Sequence, residues 1–283
     1  MTNKVKLSAP GRITEEDWNY YLQQSPADYI YSIVDSLKSR NRFFVDERFL
    51  KLLYACAFDT GSRFQFQKTL YAQQNLVVYR ARKYEENDYE ERMQTPENYG
   101  NFQGYNAEGS FVPPENKSSA GRINPDDIRY LYTASDIETS ILEVKAQPGE
   151  YVSVAQICLK EDVLMFDLTK NHSGIDADTV QKSEWINFFA LNLACFFQRP
   201  YVDNGSYYFC QYVSEYMKNW GFDGIMFRSS MQPTKAWGNV GINFTFFNYD
   251  KCEVRSSKLY HVIRVDVATF PGIENVQETP ILQ

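Results

Sequence analysis

Side chains that could do chemistry are concentrated in four segments. Residues 78–82 are a β-rich run with two arginines, and residues 121–135 combine two arginines, polar residues and two tyrosines. Residues 138–144 place two glutamates on a helical pattern, and residues 221–230 end in a pair of serines. Arginine binds phosphate through paired hydrogen bonds, a carboxylate stabilises developing positive charge, and a hydroxyl donates a hydrogen bond. The sequence therefore supplies groups for an anionic ligand, although no single segment specifies a reaction.

Several common catalytic signatures are absent from the sequence. There is no P-loop, no G-x-G-x-x-G, no H-E-x-x-H and no G-x-S-x-G. The two histidines, His172 and His261, are too few for zinc or two-metal chemistry, so we expect a metal-free site. Arg255 and His261 have the spacing of the Arg–His pair of HEPN-type ribonucleases, which lies on a helix. Residues 259–267 have a strand pattern, so we attribute that spacing to chance.

Composition and charge limit the classes of partner. The 283-residue chain is 43% hydrophobic and 23% charged, as is ordinary for a folded protein. Its net charge of −7 argues against nucleic-acid binding by this chain alone. The five cysteines form no C-x-x-C pair, which favours reduced thiols. Because no apolar signal-peptide core or membrane-length run is present, we expect a cytoplasmic protein without membrane contact.

The first part of the chain has three helical patterns. Thr14 and Ser25 are the predicted N-caps of the first two, with Asp17 completing a capping box and Pro26 in the first turn of the second. A third helix is predicted over residues 46–58 from apolar residues at helical spacing. We interpret residues 1–68 as a small helical domain that packs on the rest of the chain.

After residue 69, strands and helices alternate irregularly, which favours an α+β fold over a doubly wound sheet. Strands are predicted over residues 129–134, 151–159, 163–168, 223–228, 242–247 and 259–268. Helices are predicted over residues 135–146, 183–197 and 206–220. Ser135 and Glu138 form a predicted capping box, and Gly221 is the predicted C-terminal stop of the last helix. We interpret residues 69–270 as one domain with a long loop or insertion at 83–120, followed by a surface tail at 271–283.

The four segments, in their order and spacing, resemble the RES domain, a family named for its Arg, Glu and Ser. The most specific stretch contains GRIN, LYTAS and ETSILEV between residues 121 and 144, and GFDGIMFRSS is a fourth, independent point. The resemblance covers residues 70–268 and implies an ADP-ribosyltransferase-like mixed β-sheet core with flanking helices. It also implies a toxin that degrades NAD⁺ at the nicotinamide–ribose bond by hydrolysis or phosphorolysis, with NAD⁺ as substrate and no cofactor.

The resemblance also assigns residues to the site. Four side chains are expected to be catalytic: Arg80, Tyr132, Glu143 and Ser229. Five more are expected to bind substrate: Arg82, Arg122, Asn124, Ser230 and Asn243. Arg82 could replace Arg80, since both lie on the same strand face. Ser230 could replace Ser229, which would place the hydroxyl on the opposite face.

The chemistry implied by the resemblance suits these residue types. Positive charge develops on the ribose as the bond breaks, and Glu143 would stabilise it. Nicotinamide leaves as a neutral group, so neither a strong acid nor a metal is required. Arg80 would hold the pyrophosphate with Arg122 as a second contact, Tyr132 would stack on nicotinamide or ribose, and Ser229 would donate a hydrogen bond.

Two other functions stay open from the sequence. ADP-ribose transfer to a protein would use the same pocket, with the 83–120 loop as an acceptor surface. A non-enzymatic interaction module would use the helical N-terminal part. Many members of the resembled family are encoded beside a helix-turn-helix antitoxin that covers the active site, so an antitoxin is also an expected partner.

Overall fold

The computed structural model describes most of the chain, in these ranges: 9–41, 46–58, 63–66, 76–84, 104–113, 118–169, 180–198, 205–231 and 240–265. The helices within them are α1 (Glu15–Tyr21), α2 (Pro26–Ser39), α3 (Glu47–Phe58), α4 (Ile137–Glu143), α5 (Val180–Gln198) and α6 (Gly205–Asn219). The strands are β1 (Arg63–Phe66), β2 (Val77–Lys83), β3 (Leu131–Ala134), β4 (Tyr151–Leu159), β5 (Val163–Asp167), β6 (Gly224–Arg228), β7 (Ile242–Phe246) and β8 (Cys252–His261). In these ranges no helix combines the length and apolar character needed to cross a bilayer.

The strands of the described ranges form one mixed sheet in the order β1-β5-β6-β7-β3-β2-β4-β8. Neighbouring strands are antiparallel except β5 and β6, which are parallel. A parallel pair requires a crossover connection, and here α5 and α6 lie between the two strands in the chain. The predicted α+β fold with flanking helices is confirmed.

Local capping explains where the first two helices begin. Thr14 Oγ1 accepts a hydrogen bond from Asp17 N at 3.2 Å, and the Asp17 carboxylate accepts from Thr14 N at 2.8 Å. The second helix has Ser25 as its N-cap, whose hydroxyl accepts from Asp28 N at 3.1 Å, and Pro26 is its first residue. The predicted capping box and both predicted helix starts are confirmed.

The three N-terminal helices share one hydrophobic core with α5 and α6. The ring of Phe49 in α3 lies 5.7 Å from that of Phe209 in α6 and 6.1 Å from that of Phe189 in α5. Tyr21 in α1 stacks on Trp185 in α5 with 5.3 Å between ring centres. The N-terminal helices are thus packed directly on the pair of helices that covers the sheet. The predicted domain boundaries at 68 and 270 lie outside the described residues, as do His172 and the tail at 271–283.

The structure corrects the start of α4. Its N-cap is Asp136, whose carboxylate accepts from Thr139 N at 2.9 Å, so the predicted capping box of Ser135 and Glu138 is wrong. Ser135 does not cap the helix. Its hydroxyl accepts a hydrogen bond from Ile242 N at 3.0 Å, which joins the end of β3 to β7. A long-range bond therefore decides between two adjacent capping residues.

Two strands differ from the prediction. The last strand begins at Cys252 rather than at residue 259, and it pairs with β4 from Leu159↔Cys252 to Tyr151↔His261. It lies at the edge of the sheet, where polar residues are tolerated, so its first half has no apolar pattern. The first strand, Arg63–Phe66, was not predicted.

Part of the predicted insertion at 83–120 packs onto the sheet. Tyr105 N donates to Ser153 Oγ in β4 at 2.9 Å, and Ser110 Oγ donates to Tyr105 O at 3.0 Å. Gly104 has a φ of +82°, and a Cβ at that position would lie 2.5 Å from Ser153 Oγ. Residues 104–113 therefore cover one face of β2 and β4, Lys83 belongs to β2, and residues 85–103 and 114–117 of the insertion lie outside the described ranges.

Candidate active site

The sheet opens between β2 and β3. These strands pair at a single position, Tyr79 with Ala134, whereas β2 pairs with β4 along its whole length. A cavity of about 310 Å³ lies at the opening, and β2 and β3 contribute six lining residues to it: Tyr79, Arg80, Ala81, Tyr132, Thr133 and Ala134. Such a volume is within the usual range for a small-molecule site.

Other elements complete the walls of this cavity. The remaining lining residues come from the 121–124 turn, α4, α6, β6 and β7: Arg122, Ser140, Glu143, Val144, Tyr207, Phe227 and Asn243. Arg80, Tyr132 and Glu143, which the sequence assigned as catalytic, therefore share one hollow. The predicted substrate contacts Arg122 and Asn243 line it as well.

The Glu143 carboxylate is held by two donors. Ser229 Oγ donates to Glu143 Oε1 at 2.6 Å, and Asn243 Nδ2 donates to the same oxygen at 2.7 Å. Both bonds end on Oε1. No group in the described residues donates to Glu143 Oε2, so the lone pairs of that oxygen are available to a ligand. A carboxylate fixed in this way is oriented before a substrate arrives.

Strand pairing places these two donors together. Ser229 directly follows β6, and its N–H donates to Gly241 O just before β7 at 2.8 Å. Asn243 is paired with Phe227 across the same two strands. Ser229 is 0% exposed and does not line the cavity, so it acts on Glu143 from inside the protein. Of the two candidate serines, only Ser229 bonds to Glu143 among the described contacts.

Arg80 is a partly buried cation. Its Nη1 donates to Ser110 O at 3.3 Å, and within the described residues it forms no ion pair with a carboxylate. Burial, together with the nearby charge of Arg82, lowers the pKa of Arg80 to about 10, so the group is still cationic at neutral pH. A cation in a cleft that is partly withdrawn from water is a candidate functional group, and its charge suits an anionic ligand.

Arg82 is engaged away from the cavity. Its Nη1 donates to Gly109 O at 3.1 Å, and its guanidinium lies 4.3 Å from the ring centre of Tyr105. Both arginines of β2 thus face residues 104–113, as expected for one strand face, but only Arg80 reaches the cavity.

Arg122 connects the cavity to the end of α5. Its Nη1 donates to the carbonyls of Phe197 and Gln198, the latter at 3.4 Å, which is a favourable position for a cation at a helix C-terminus. Its guanidinium carbon lies 5.7 Å from the ring centre of Phe227. Arg122 Nε is buried without a hydrogen-bond partner in the described part of the chain.

The hydroxyl of Tyr132 is hydrogen-bonded to the 121–124 turn and is not a free group in the cavity. It accepts from Ile123 N at 3.1 Å and Asn124 N at 3.3 Å, and it donates to Asn124 Oδ1 at 2.6 Å. Burial raises the pKa of Tyr132, which keeps the phenol protonated. Gly121 is required beside it, because a Cβ there would lie 2.8 Å from Tyr132 Oη and 2.4 Å from Asn124 Oδ1.

The comparisons with known proteins identify the family. The family model of the RES domain matches residues 91–261, more than half of the chain. The chain belongs to the RES domain family. Among solved structures, a chain of the crystal structure of the M. tuberculosis MbcT–MbcA toxin–antitoxin complex is similar at 16% identity, with a TM-score of 0.38. The match covers 74% of this chain and 91% of that chain. The comparison with curated proteins found no match.

The RES match and the site overlap incompletely. Tyr132, Glu143, Ser229 and Asn243 lie inside the matched residues, whereas Arg80 precedes them. Three of the residues predicted to bind substrate do not line the RES domain cavity: Arg82, Asn124 and Ser230. Asn124 instead stabilises the 121–124 turn and borders a neighbouring cavity of about 240 Å³, which Arg80 and Tyr132 also line.

Sequence reasoning did not name eight lining residues of the RES domain cavity: Tyr79, Ala81, Thr133, Ala134, Ser140, Val144, Tyr207 and Phe227. Tyr79 and Ser140 lie within the quoted segments, and their positions beside Arg80 and on the helix of Glu143 are the signals that could have found them. Phe227 lies within the quoted GFDGIMFRSS segment, whereas Tyr207 lies outside the quoted segments and carries no local signal in a chain with 21 tyrosines. In the described ranges, no group of three His, Cys, Asp or Glu side chains could hold a metal ion.

Proposed function

We propose that this RES domain is a toxin enzyme that cleaves the nicotinamide–ribose bond of NAD⁺ and transfers the ADP-ribosyl group to water or phosphate. The observation that carries the proposal is the shared cavity of Arg80 and Glu143 at the opening between β2 and β3. A dinucleotide needs both a cation for its pyrophosphate and a carboxylate beside its reacting ribose. Both of these groups line one hollow.

The proposed step requires no group that the chain lacks. The bond between the ribose C1′ and the nicotinamide nitrogen breaks, and its electron pair leaves with neutral nicotinamide. Positive charge develops on the ribose, and the Glu143 carboxylate stabilises it. Either a water oxygen, which then releases its proton to solvent, or an anionic oxygen of phosphate, which has no proton to release, bonds to C1′. Ser229 and Asn243 keep the carboxylate oriented throughout, so little reorganisation is needed.

The arginines fit the anionic part of the substrate. Arg80 lines both the 310 Å³ cavity and the neighbouring cavity of about 240 Å³, so a dinucleotide that spans the two would place its pyrophosphate near this guanidinium. Arg122 would supply the second contact from the 121–124 turn. Tyr79 and Tyr207 offer rings for stacking on a flat base.

The experiment is to incubate the purified protein with NAD⁺, with and without phosphate, and to measure nicotinamide, ADP-ribose and its 1″-phosphorylated form. We expect nicotinamide release by the wild type and a loss of about 100-fold or more in Glu143→Gln, as for removal of an electrostatic stabiliser. Glu138→Gln is the matched control, since Glu138 is an exposed residue of the same helix. Absence of nicotinamide release under both conditions would refute the proposal.

Two further experiments separate the alternatives. Labelled NAD⁺ in a lysate distinguishes protein modification, which places label on a protein band, from release of free ADP-ribose. Equal toxicity of wild type and Glu143→Gln on expression would indicate a non-enzymatic module. We also propose a helix-turn-helix antitoxin as partner on the basis of family membership, to be tested by co-purification with the protein encoded beside this one.

A further inference from the structure

The 121–124 turn, which carries Arg122 to the cavity, is held from outside the site by Gln211. This residue lies on α6 and is 9% exposed. Its Nε2 donates to Gly121 O at 2.7 Å and to Asn124 O at 3.0 Å, so both hydrogens of one amide bind the two ends of the turn. Gln211 does not line the 310 Å³ cavity, and it borders a separate groove of about 600 Å³.

The opposite side of the turn is held by Tyr132. Its hydroxyl accepts from the amides of Ile123 and Asn124, while Gln211 takes the carbonyls of Gly121 and Asn124. The turn is therefore fixed between β3 and α6 through its backbone. Its one cationic side chain, Arg122, projects to the cavity wall and to the end of α5.

We propose that Gln211 is a positioning residue for NAD⁺ binding, which acts through Arg122. By fixing the turn on α6, Gln211 sets the place from which Arg122 reaches the pyrophosphate. The kinetic part of this inference rests on the function proposed above, whereas the positional part does not. A contact to the pyrophosphate is made in the ground state and in the transition state alike, so its loss should raise KM and leave kcat nearly unchanged.

The test uses two variants of Gln211 and a matched control. Gln211→Met keeps the length and removes both donors, and it should raise the KM for NAD⁺ about tenfold with kcat within about twofold. Gln211→Lys supplies an ammonium group in place of the amide that can donate to both carbonyls, and it should restore KM to within about threefold of wild type. Gln147→Met makes the same change at an exposed glutamine and should leave both constants unchanged.

A double-mutant cycle shows whether Gln211 acts through Arg122. In an Arg122→Ala background, Gln211→Met should raise KM by less than about twofold further, since the side chain that it positions is gone. A full tenfold rise in that background, or a fall in kcat with unchanged KM, would overturn the inference.

Hydrogen exchange tests the positional part independently of activity. The amides of Ile123 and Asn124 should exchange faster in Gln211→Met than in wild type, while peptides from α1–α3 should exchange at unchanged rates. Unchanged exchange at these two amides would overturn the positioning role even if the enzyme cleaves NAD⁺. If the wild type cleaves no NAD⁺ but exchange changes as stated, the proposed function is refuted, whereas the role of Gln211 in holding the 121–124 turn is supported.

Discussion

Ser229→Ala removes one of the two hydrogen bonds to Glu143 Oε1 and changes no residue that lines the cavity. The bond is 2.6 Å long and ends on a carboxylate, and such bonds contribute about 1.5–3 kcal/mol. Asn243 Nδ2 continues to donate to the same oxygen, which limits the loss at the carboxylate to one bond. Met231 N also loses its acceptor, Ser229 Oγ, at 3.1 Å. At about 1.4 kcal/mol for each factor of ten, the rate of NAD⁺ cleavage should fall by roughly 10- to 100-fold.

The loss should be in kcat rather than in KM. The bond orients the carboxylate that meets developing charge, so its contribution grows as the transition state forms. Nicotinamide release is measured over a range of NAD⁺ concentrations, and thermal unfolding shows whether each variant is folded. Ser230→Ala is the control, because the neighbouring serine is not bonded to Glu143 in the described structure and should keep kcat within about twofold.

Two results would refute this reasoning. Equal losses in Ser229→Ala and Ser230→Ala would mean that the segment matters for folding rather than for orienting Glu143. An unchanged kcat in a folded Ser229→Ala protein would mean that the position of Oε1 does not matter for the reaction.

Burial leads to two further predictions. Because burial and Arg82 lower the pKa of Arg80 to about 10, affinity for ADP-ribose should fall as pH rises through about 10, where the guanidinium loses its charge. Arg82→Gln removes a like charge and should shift that fall to higher pH; calorimetric titration that shows no pH dependence between about 9 and 11 would contradict this. Phe49→Ala leaves a cavity against Phe209 and should lower the free energy of unfolding by about 3–5 kcal/mol, measured by urea unfolding. Tyr31→Ala, on an exposed face of α2, should cost less than about 1 kcal/mol, and equal costs for the two would argue against the shared core.

Features that depend on neighbouring residues could be predicted from the sequence. Thr14 and Ser25 cap helices through hydrogen bonds three residues away, so their patterns identify the helix starts. The choice between Ser135 and Asp136 as the cap of α4 depends on Ile242, more than a hundred residues later, and no local pattern contains it. The polar first half of β8 is stabilised by pairing with β4 and has no apolar pattern of its own.

The site divides in the same way. The order of the family segments was sufficient to predict that Arg80, Tyr132 and Glu143 are close together. The sequence could not show that the Tyr132 hydroxyl is hydrogen-bonded to the 121–124 turn. That arrangement depends on the positions of three atoms, Ile123 N, Asn124 N and Asn124 Oδ1, and no local pattern specifies them. The contact of Gln211 with the turn could not be predicted from the sequence either. Its partners are two backbone carbonyls about 90 residues away, and every residue has such a carbonyl.

The joint interior of the N-terminal helices with α5 and α6 constrains how this protein can be recombined with its relatives. Phe189 and Phe209 face Phe49, so the outward surfaces of α5 and α6 are matched to residues that precede residue 59. A chimera that exchanges only the family-matched part would bring α5 and α6 from another member against α1–α3 of this one. An exchange that keeps this core intact must therefore transfer α1–α3 together with both helices.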